Sequence, residues 1–456
     1  MSHLNFMISR GTRWLNLCML AGLAACGSAT QQQSAPPSIR PIESAPSVAR
    51  IASEANRFQL YVNGQPFYIK GAGLASGSME LLAASGANAV RTWSTDFGVT
   101  STKQVLDKAL ANGLHVALGL EVARERHGFD YNNAEAVQRQ LEIIKAEVLK
   151  YKDHPAVIIW VIGNELNLNS SNPRVWNAVN DISKMIHAVD RNHLTMTTLA
   201  GFSSELTGLL NTRAPDLDVI GIQMYADVVN LPRYLQTSGL QRPYLLTEWG
   251  TTGHWEVATT DWGVPIEDNS SVKADLYRKR YDAAIASDRR QCLGSFAFLW
   301  GQKQERTPTW YGMFLETGEK TAAVDTMQAI WSGLPPDHVS PRLEGAWLDG
   351  KTAYQSIRLQ PGQTVQARIQ ASSSETKVLQ YRWLVSEESR DLKTGGDEES
   401  KPPALPGLIA NDALSEISLT APKKPGPYRL FSYVYDGKGA AAHVNLPFFV
   451  EDKPRP

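Results

Sequence analysis

The stretch AVIIWVIGNEL, residues 156–166, is apolar from Ala156 to Ile162 and then turns polar at Gly163-Asn164-Glu165. A strand with no polar face is covered on both sides, as in a parallel sheet flanked by helices. Seven further short apolar runs share its character: FYIKGAG (67–73), ANAVRTW (87–93), LHVALGLEV (114–122), LTMTTLAG (194–201), DVIGIQMY (218–225), YLLTEWG (244–250) and GSFAFLWG (294–301). Segments with helical spacing of apolar residues lie between them, including NAEAVQRQLEIIKAEVLKY (133–151) and SVKADLYRKRYDAAIASD (271–288). Eight β-then-α units across residues 66–333 predict a (β/α)8 TIM barrel rather than an open doubly wound sheet, and no glycine-rich nucleotide fingerprint is present.

Working outward, FQLYVNGQPFYI (58–69) places Asn63-Gly64 between two β-rich runs, a hairpin that leads into the first barrel strand. On the other side GLPPDHVSPR (333–342) breaks the helical period, and beyond it the pattern alternates: SIRL, TVQARIQ, LQYRWLV, YRLFSYVYDGKG and VNLPFFV read as antiparallel strands. The domains expected are a catalytic α/β barrel over residues 51–335 and an immunoglobulin-like β-sandwich over residues 336–456. Residues 386–406, rich in Glu, Asp, Gly and Pro, read as a solvated excursion, and packing on the barrel as the sandwich's main role.

The chain has 456 residues, with 45 Lys and Arg against 46 Asp and Glu, a net charge of -1 at pH 7. No global field favours nucleic acid or an anionic surface, and the substrate is expected to be neutral or weakly charged. Arg10 and Arg13 followed by an apolar run from Trp14 to Leu23 read as an export signal over residues 1–25. Leu23-Ala24-Ala25-Cys26 resembles a bacterial lipobox, which implies lipidation of Cys26, an N-terminal lipid anchor in the membrane and, with Gly27 next, the Gram-negative outer membrane. Residues 26–50, rich in Ser, Ala, Gln and Pro, read as a flexible tether. Cys292 is then left as a small buried hydrophobe without a partner. His115, His127, His154, His193 and His254 lack metal-ligand spacing, so neither metal nor cofactor is expected.

Active sites of such barrels lie at the C-terminal ends of the strands. There the fourth run ends in Asn164-Glu165 and the seventh in Thr247-Glu248-Trp249-Gly250. Two carboxyl groups at the rim of a hydrocarbon-packed barrel push their pKa values apart. Glycosidic cleavage requires one protonated and one ionised carboxyl.

This pattern resembles the clan A glycoside hydrolases over about residues 58–333, and in particular the catalytic domain of glycoside hydrolase family 2 and its stand-alone relatives. The resemblance implies Glu165 as general acid/base with Asn164 as its sugar-binding neighbour, and Glu248 as nucleophile. It further implies that Arg91 holds the nucleophile ionised, that Tyr225 orients it, and that Trp300 floors the innermost sugar subsite. Trp93 and Trp249, with Glu121, Trp255, Trp262, Gln302 and Trp310, fall in or beside predicted βα loops and are candidates for shaping the substrate site. Unlike family 2, no jelly-roll or sandwich domain precedes the barrel, a departure that speaks against an exo-acting pocket and allows an open cleft. The expected activity is retaining hydrolysis of β-glycosidic bonds in a neutral carbohydrate of β-glucan or β-mannan type. A transglycosylase that remodels an envelope or exported polysaccharide would use the same two Glu, and a non-catalytic glycan-binding lipoprotein is the reading from outside enzymology.

Overall fold

The computed structural model describes residues 44–452 apart from residue 56. The export signal, Cys26 and most of the tether lie outside the described residues. Eight parallel strands, Ile69–Leu74, Ala89–Arg91, His115–Leu120, Val157–Asn164, Leu194–Ala200, Val219–Gln223, Tyr244–Glu248 and Cys292–Trp300, close into a barrel with the first beside the eighth. Each falls on one of the eight apolar runs. Inward residues such as Ile69, Ala89, Ala117, Ile159, Val161, Met196 and Phe296 fill the barrel. Their outward neighbours, Val90, Val116, Trp160, Ile162 and Leu246, pack under the helices. With hydrocarbon on both faces, no strand can alternate, which is why the runs are uninterrupted.

The helices follow their strands. Ala134–Tyr151 opens on Asn133, whose side chain accepts from the Ala136 amide, and Thr102–Ala111 opens on a Ser101–Gln104 capping box. The helix Ser270–Arg280 is shorter than its sequence pattern, because the chain widens into a π-helical turn over Tyr281–Ile285.

The expected hairpin forms from Arg57–Val62 and Gln65–Phe67. A third strand, Ala49–Glu54, joins it, and this sheet seals the bottom of the barrel: Ala49 donates to the Asn192 carbonyl and Phe58 to that of Arg290. The last residues of the segment read as tether pack against the barrel, with Ser47 fully buried and its hydroxyl donating to Pro155 O at 2.6 Å. The reason lies in partners supplied by distant loops.

The C-terminal domain stacks the three-stranded sheet Arg342–Leu348, Thr364–Ser372, Glu416–Thr420 on the four-stranded sheet Ile357–Leu359, Ala441–Val450, Gly426–Tyr435, Gln380–Glu387. This is a two-sheet sandwich, with one departure from the all-antiparallel expectation: Ile357–Leu359 runs parallel to Ala441–Val450. The strands Arg342–Leu348 and Glu416–Thr420 were not among those expected from sequence.

The sandwich is locked to the barrel by a buried ionic cluster. Glu267, in the loop after the seventh barrel strand, accepts from Lys273 (2.5 Å), Thr307 (2.5 Å) and Thr309 (2.9 Å), and from Asn445 of the last sandwich strand (2.5 Å). Removing one partner of a buried ion pair leaves the other charge uncompensated. Lys273→Met is therefore expected to destabilise the protein by about 3–5 kcal/mol, read as a melting temperature several degrees lower. An unchanged melting temperature would show that the neutral donors alone satisfy Glu267.

Candidate active site

Glu248, a residue only 5 % exposed, closes the seventh strand. Its Oε1 accepts from Arg91 Nη1 (2.8 Å), Trp93 Nε1 (2.8 Å) and Gln223 Nε2 (2.9 Å), and its Oε2 from the Tyr225 hydroxyl (3.0 Å). An ionised carboxylate has the lone pairs to accept all four. Arg91, fully buried, sends its other nitrogen to Asn164 Oδ1 at 2.5 Å. That same oxygen also accepts from Thr198 (3.0 Å) and Gln223 (2.8 Å). Three donors fix the orientation of the Asn164 amide and leave its NH2 group as the donor at the cleft surface, where Asn164 lies. Burial first, and then the charge of Glu248, push the Tyr225 hydroxyl well above its usual range, so it remains a donor.

Glu165 has the opposite environment. Its carboxyl has no hydrogen-bond partner among the described residues. Desolvation, reinforced by the charge of Glu248 and opposed by Arg126 and Arg91, raises its pKa to about 8. The backbone at Glu165 is in the left-handed region, φ 51°, next but one to Gly163 at φ 72°. A non-glycine residue held there costs on the order of 1–3 kcal/mol. The turn is held by Glu165 N donating to Thr198 O at 3.1 Å and Leu168 N to Glu165 O at 2.9 Å. Strand end and turn together deliver the side chain to the cleft that Glu248 also lines, a cavity of about 990 Å³ at the C-terminal mouth of the barrel.

Glu165 is therefore the carboxyl held toward its protonated form, and Glu248 the one that four donors surround. A group that must be protonated to act loses that role as pH rises through its pKa. For substrates with poor leaving groups, kcat/KM is expected to fall on an alkaline limb near pH 8. With activated aryl leaving groups that limb should flatten, because proton donation is then dispensable. A pH–rate series on both substrate types checks this, and an identical limb on both would remove Glu165 as the donor.

Of the expected substrate residues, Arg91, Asn164, Tyr225 and Trp93 gather around Glu248. Trp300 does not reach the cleft: it is fully buried, packs on Phe314 and Trp331, and donates to Ser78 O at 2.9 Å. The eighth strand shifts register against the first between Ala297 and Trp300, so alternation fails there and Phe298 is the aromatic that lines the cleft. Trp249 is also fully buried, against Tyr277 and Tyr281. As the neighbour of an inward Glu248 it must point outward.

Trp255 and Gln302 line the cleft. Glu121 pairs with Arg124 at the surface, Trp262 packs on Phe449 of the sandwich, and Trp310 is buried and donates to Thr252 O. Gln223 was missed, although it shares strand parity with Tyr225 and so faces inward with it. Glu305 was missed too, a buried carboxyl whose pKa is raised by desolvation. Among the described residues no three His, Cys, Asp or Glu are grouped to hold a metal ion.

Solved structures similar to this chain include a β-D-glucuronidase from Dictyoglomus thermophilum (18% identity, 63% of this chain and 54% of that one, TM-score 0.49). Others are a Bifidobacterium dentium β-glucuronidase complexed with coumarin-3-O-glucuronide (17%, 63% and 50%, 0.48) and a putative β-galactosidase from Bacteroides fragilis (14%, 88% and 57%, 0.47). The chain spans about half the length of these proteins. At the level of sequence, residues 78–255, which run from just before the first barrel helix to the loop after the seventh strand, match the TIM barrel domain of glycosyl hydrolases family 2.

Proposed function

We propose that this protein is a retaining glycoside hydrolase that cleaves β-glycosidic bonds of a neutral poly- or oligosaccharide of β-glucan or β-mannan type. The observation that carries the reading is the asymmetry of the two carboxyl groups in one cleft: Glu248 held by four donors, Glu165 held by none and pushed toward its protonated form. Glu248 attacks the anomeric carbon while Glu165 protonates the departing oxygen. Glu165, now ionised, then takes a proton from the water that breaks the glycosyl–Glu248 bond. The Asn164 amide donates to a sugar hydroxyl beside the reacting carbon, and Trp93 and Phe298 offer apolar surface to the ring. A neutral substrate is supported by the internal pairing of cleft cations: Lys303 with Glu305, Arg306 with Glu399, Lys393 with Asp391.

The test is incubation with a panel of 4-nitrophenyl β-glycosides and polysaccharides, glucuronides included, with NMR of the first-formed anomer. Retained configuration is expected. First release of the inverted anomer would assign Glu248 to activating water instead, and preference for a glucuronide would correct the neutral assignment. Mass analysis of products at high substrate concentration separates hydrolysis from transglycosylation.

We further propose that the protein is exported and lipid-anchored through Cys26 in the outer membrane of a Gram-negative bacterium, on the strength of the apolar signal that ends at this cysteine. Metabolic fatty-acid labelling is expected to mark the wild type and to be lost in Cys26→Ser; label retained by that variant would exclude the anchor.

A further inference from the structure

Residues 389–401, which connect sandwich strands and read as a solvated excursion, instead lie across the mouth of the barrel. Lys393, Thr394, Gly395, Gly396 and Asp397 line the same cleft as Glu165 and Glu248. On one side the segment is anchored to the loop after the eighth barrel strand. Arg306 donates to Glu399 from its backbone N (2.6 Å) and from Nη1 (2.5 Å), and Lys303 Nζ donates to Gly396 O (2.6 Å). On the other side it is anchored to the loop after the third strand, where His127 Nε2 meets Asp397 Oδ2 at 2.9 Å and Arg126 Nη2 donates to Gly395 O at 3.3 Å. Strands eight and three stand three places apart around the ring, so a segment held at both loops runs as a chord over the mouth.

The contact is close and built. Glu399 is only 4 % exposed. A Cβ at Gly395, where φ is +66°, would stand 2.7 Å from both Arg126 Nη2 and Leu168 Cδ2, so the segment passes in close contact with the ends of these two side chains, in a backbone conformation that favours glycine. The buried Glu267 cluster fixes the sandwich that carries the segment, which gives the chord a rigid base.

We propose that this segment of the C-terminal domain is the specificity wall of the catalytic cleft. It ends the cleft on one side, so that the site takes the end of a glycan chain or a short oligosaccharide rather than the interior of a polymer, with Lys393 and Asp397 on the wall that meets the chain. The inference rests on the hydrolase reading and opposes the open cleft that the sequence allows.

The test uses the full chain in three forms: wild type, a variant with residues 392–398 replaced by two glycines, and Asp397→Ala, which removes the His127 contact of the third-strand anchor and leaves the one from Arg126 to the Gly395 carbonyl. Substrates are 4-nitrophenyl β-glucoside and β-mannoside, reducing-end-labelled cellohexaose and mannohexaose, and soluble β-glucan and galactomannan followed by viscosity. The wild type is expected to shorten the hexaose from one end only. The ratio of polymer to aryl-glycoside kcat/KM should rise at least about tenfold in the shortened variant, with internal products appearing in the ladder, and should rise by a smaller factor in Asp397→Ala. Internal cutting by the wild type would overturn the wall while leaving the hydrolase reading intact. So would a shortened variant, folded by circular dichroism, with the parental ladder and ratio. If that variant does not fold, an unchanged ladder and ratio in Asp397→Ala overturns the proposal alone. No turnover of any glycoside by the wild type would overturn the hydrolase reading and this inference with it.

Discussion

Glu248→Ala is expected to lose turnover on every substrate, by on the order of 10⁴–10⁶-fold, because the glycosyl–enzyme bond cannot form without it. Glu165→Ala is expected to lose about 10²–10⁴-fold on substrates with poor leaving groups and far less on activated aryl glycosides during the first step. Added azide separates the roles further. In Glu165→Ala it attacks the glycosyl–enzyme intermediate and restores turnover with a glycosyl azide of retained configuration. In Glu248→Ala it attacks the substrate itself in place of the carboxylate and gives the inverted product. Exchanged signatures would reverse the two assignments, and two fully active variants would place the chemistry elsewhere.

The second large effect is expected at Arg91. Its guanidinium joins Glu248 Oε1 to Asn164 Oδ1 inside a fully buried network. Arg91→Leu deletes the cation and leaves Glu248 charged and underpaired, a loss of about 3–5 kcal/mol of stability. The attached loss in kcat should be roughly 10²–10³-fold, the scale of one preorganised electrostatic donor. Arg91→Lys keeps the charge but not the planar fork that spans both acceptors, so it should recover stability better than kcat. Thermal melting and steady-state kinetics on the same preparations check both halves. Full activity in Arg91→Leu would show that Trp93, Gln223 and Tyr225 suffice to hold Glu248.

Much of this architecture is legible in sequence because it is local. The apolar run Ala156 to Ile162 ahead of Gly163-Asn164-Glu165 states that the strand is covered on both faces and where it stops. The end of a parallel barrel strand is the mouth, so Glu165, Glu248, Arg91 and Tyr225 could be placed at one rim before any coordinates. Parity along a strand carries more than was read from it. Gln223, two before Tyr225, shares its inward face, and Trp249, one after Glu248, cannot.

The physical division follows the range of the interactions. Sequence by itself determined the eight strands, the hairpin turn at Asn63-Gly64, the sandwich and the two carboxyl positions, since each depends on periodicity or on a few adjacent residues. Only the tertiary structure decided which eighth-strand aromatic faces the sugar. The register shift between Ala297 and Trp300 arises from pairing with a strand more than two hundred residues earlier and leaves Phe298, not Trp300, in the cleft. Only the tertiary structure, too, carried Lys393–Asp397 to the barrel mouth. A segment with the composition of a solvated loop becomes ordered because Arg126, His127, Lys303 and Arg306, between 87 and 271 residues away in the chain, supply the partners that water would otherwise supply, and no local pattern encodes partners at that distance.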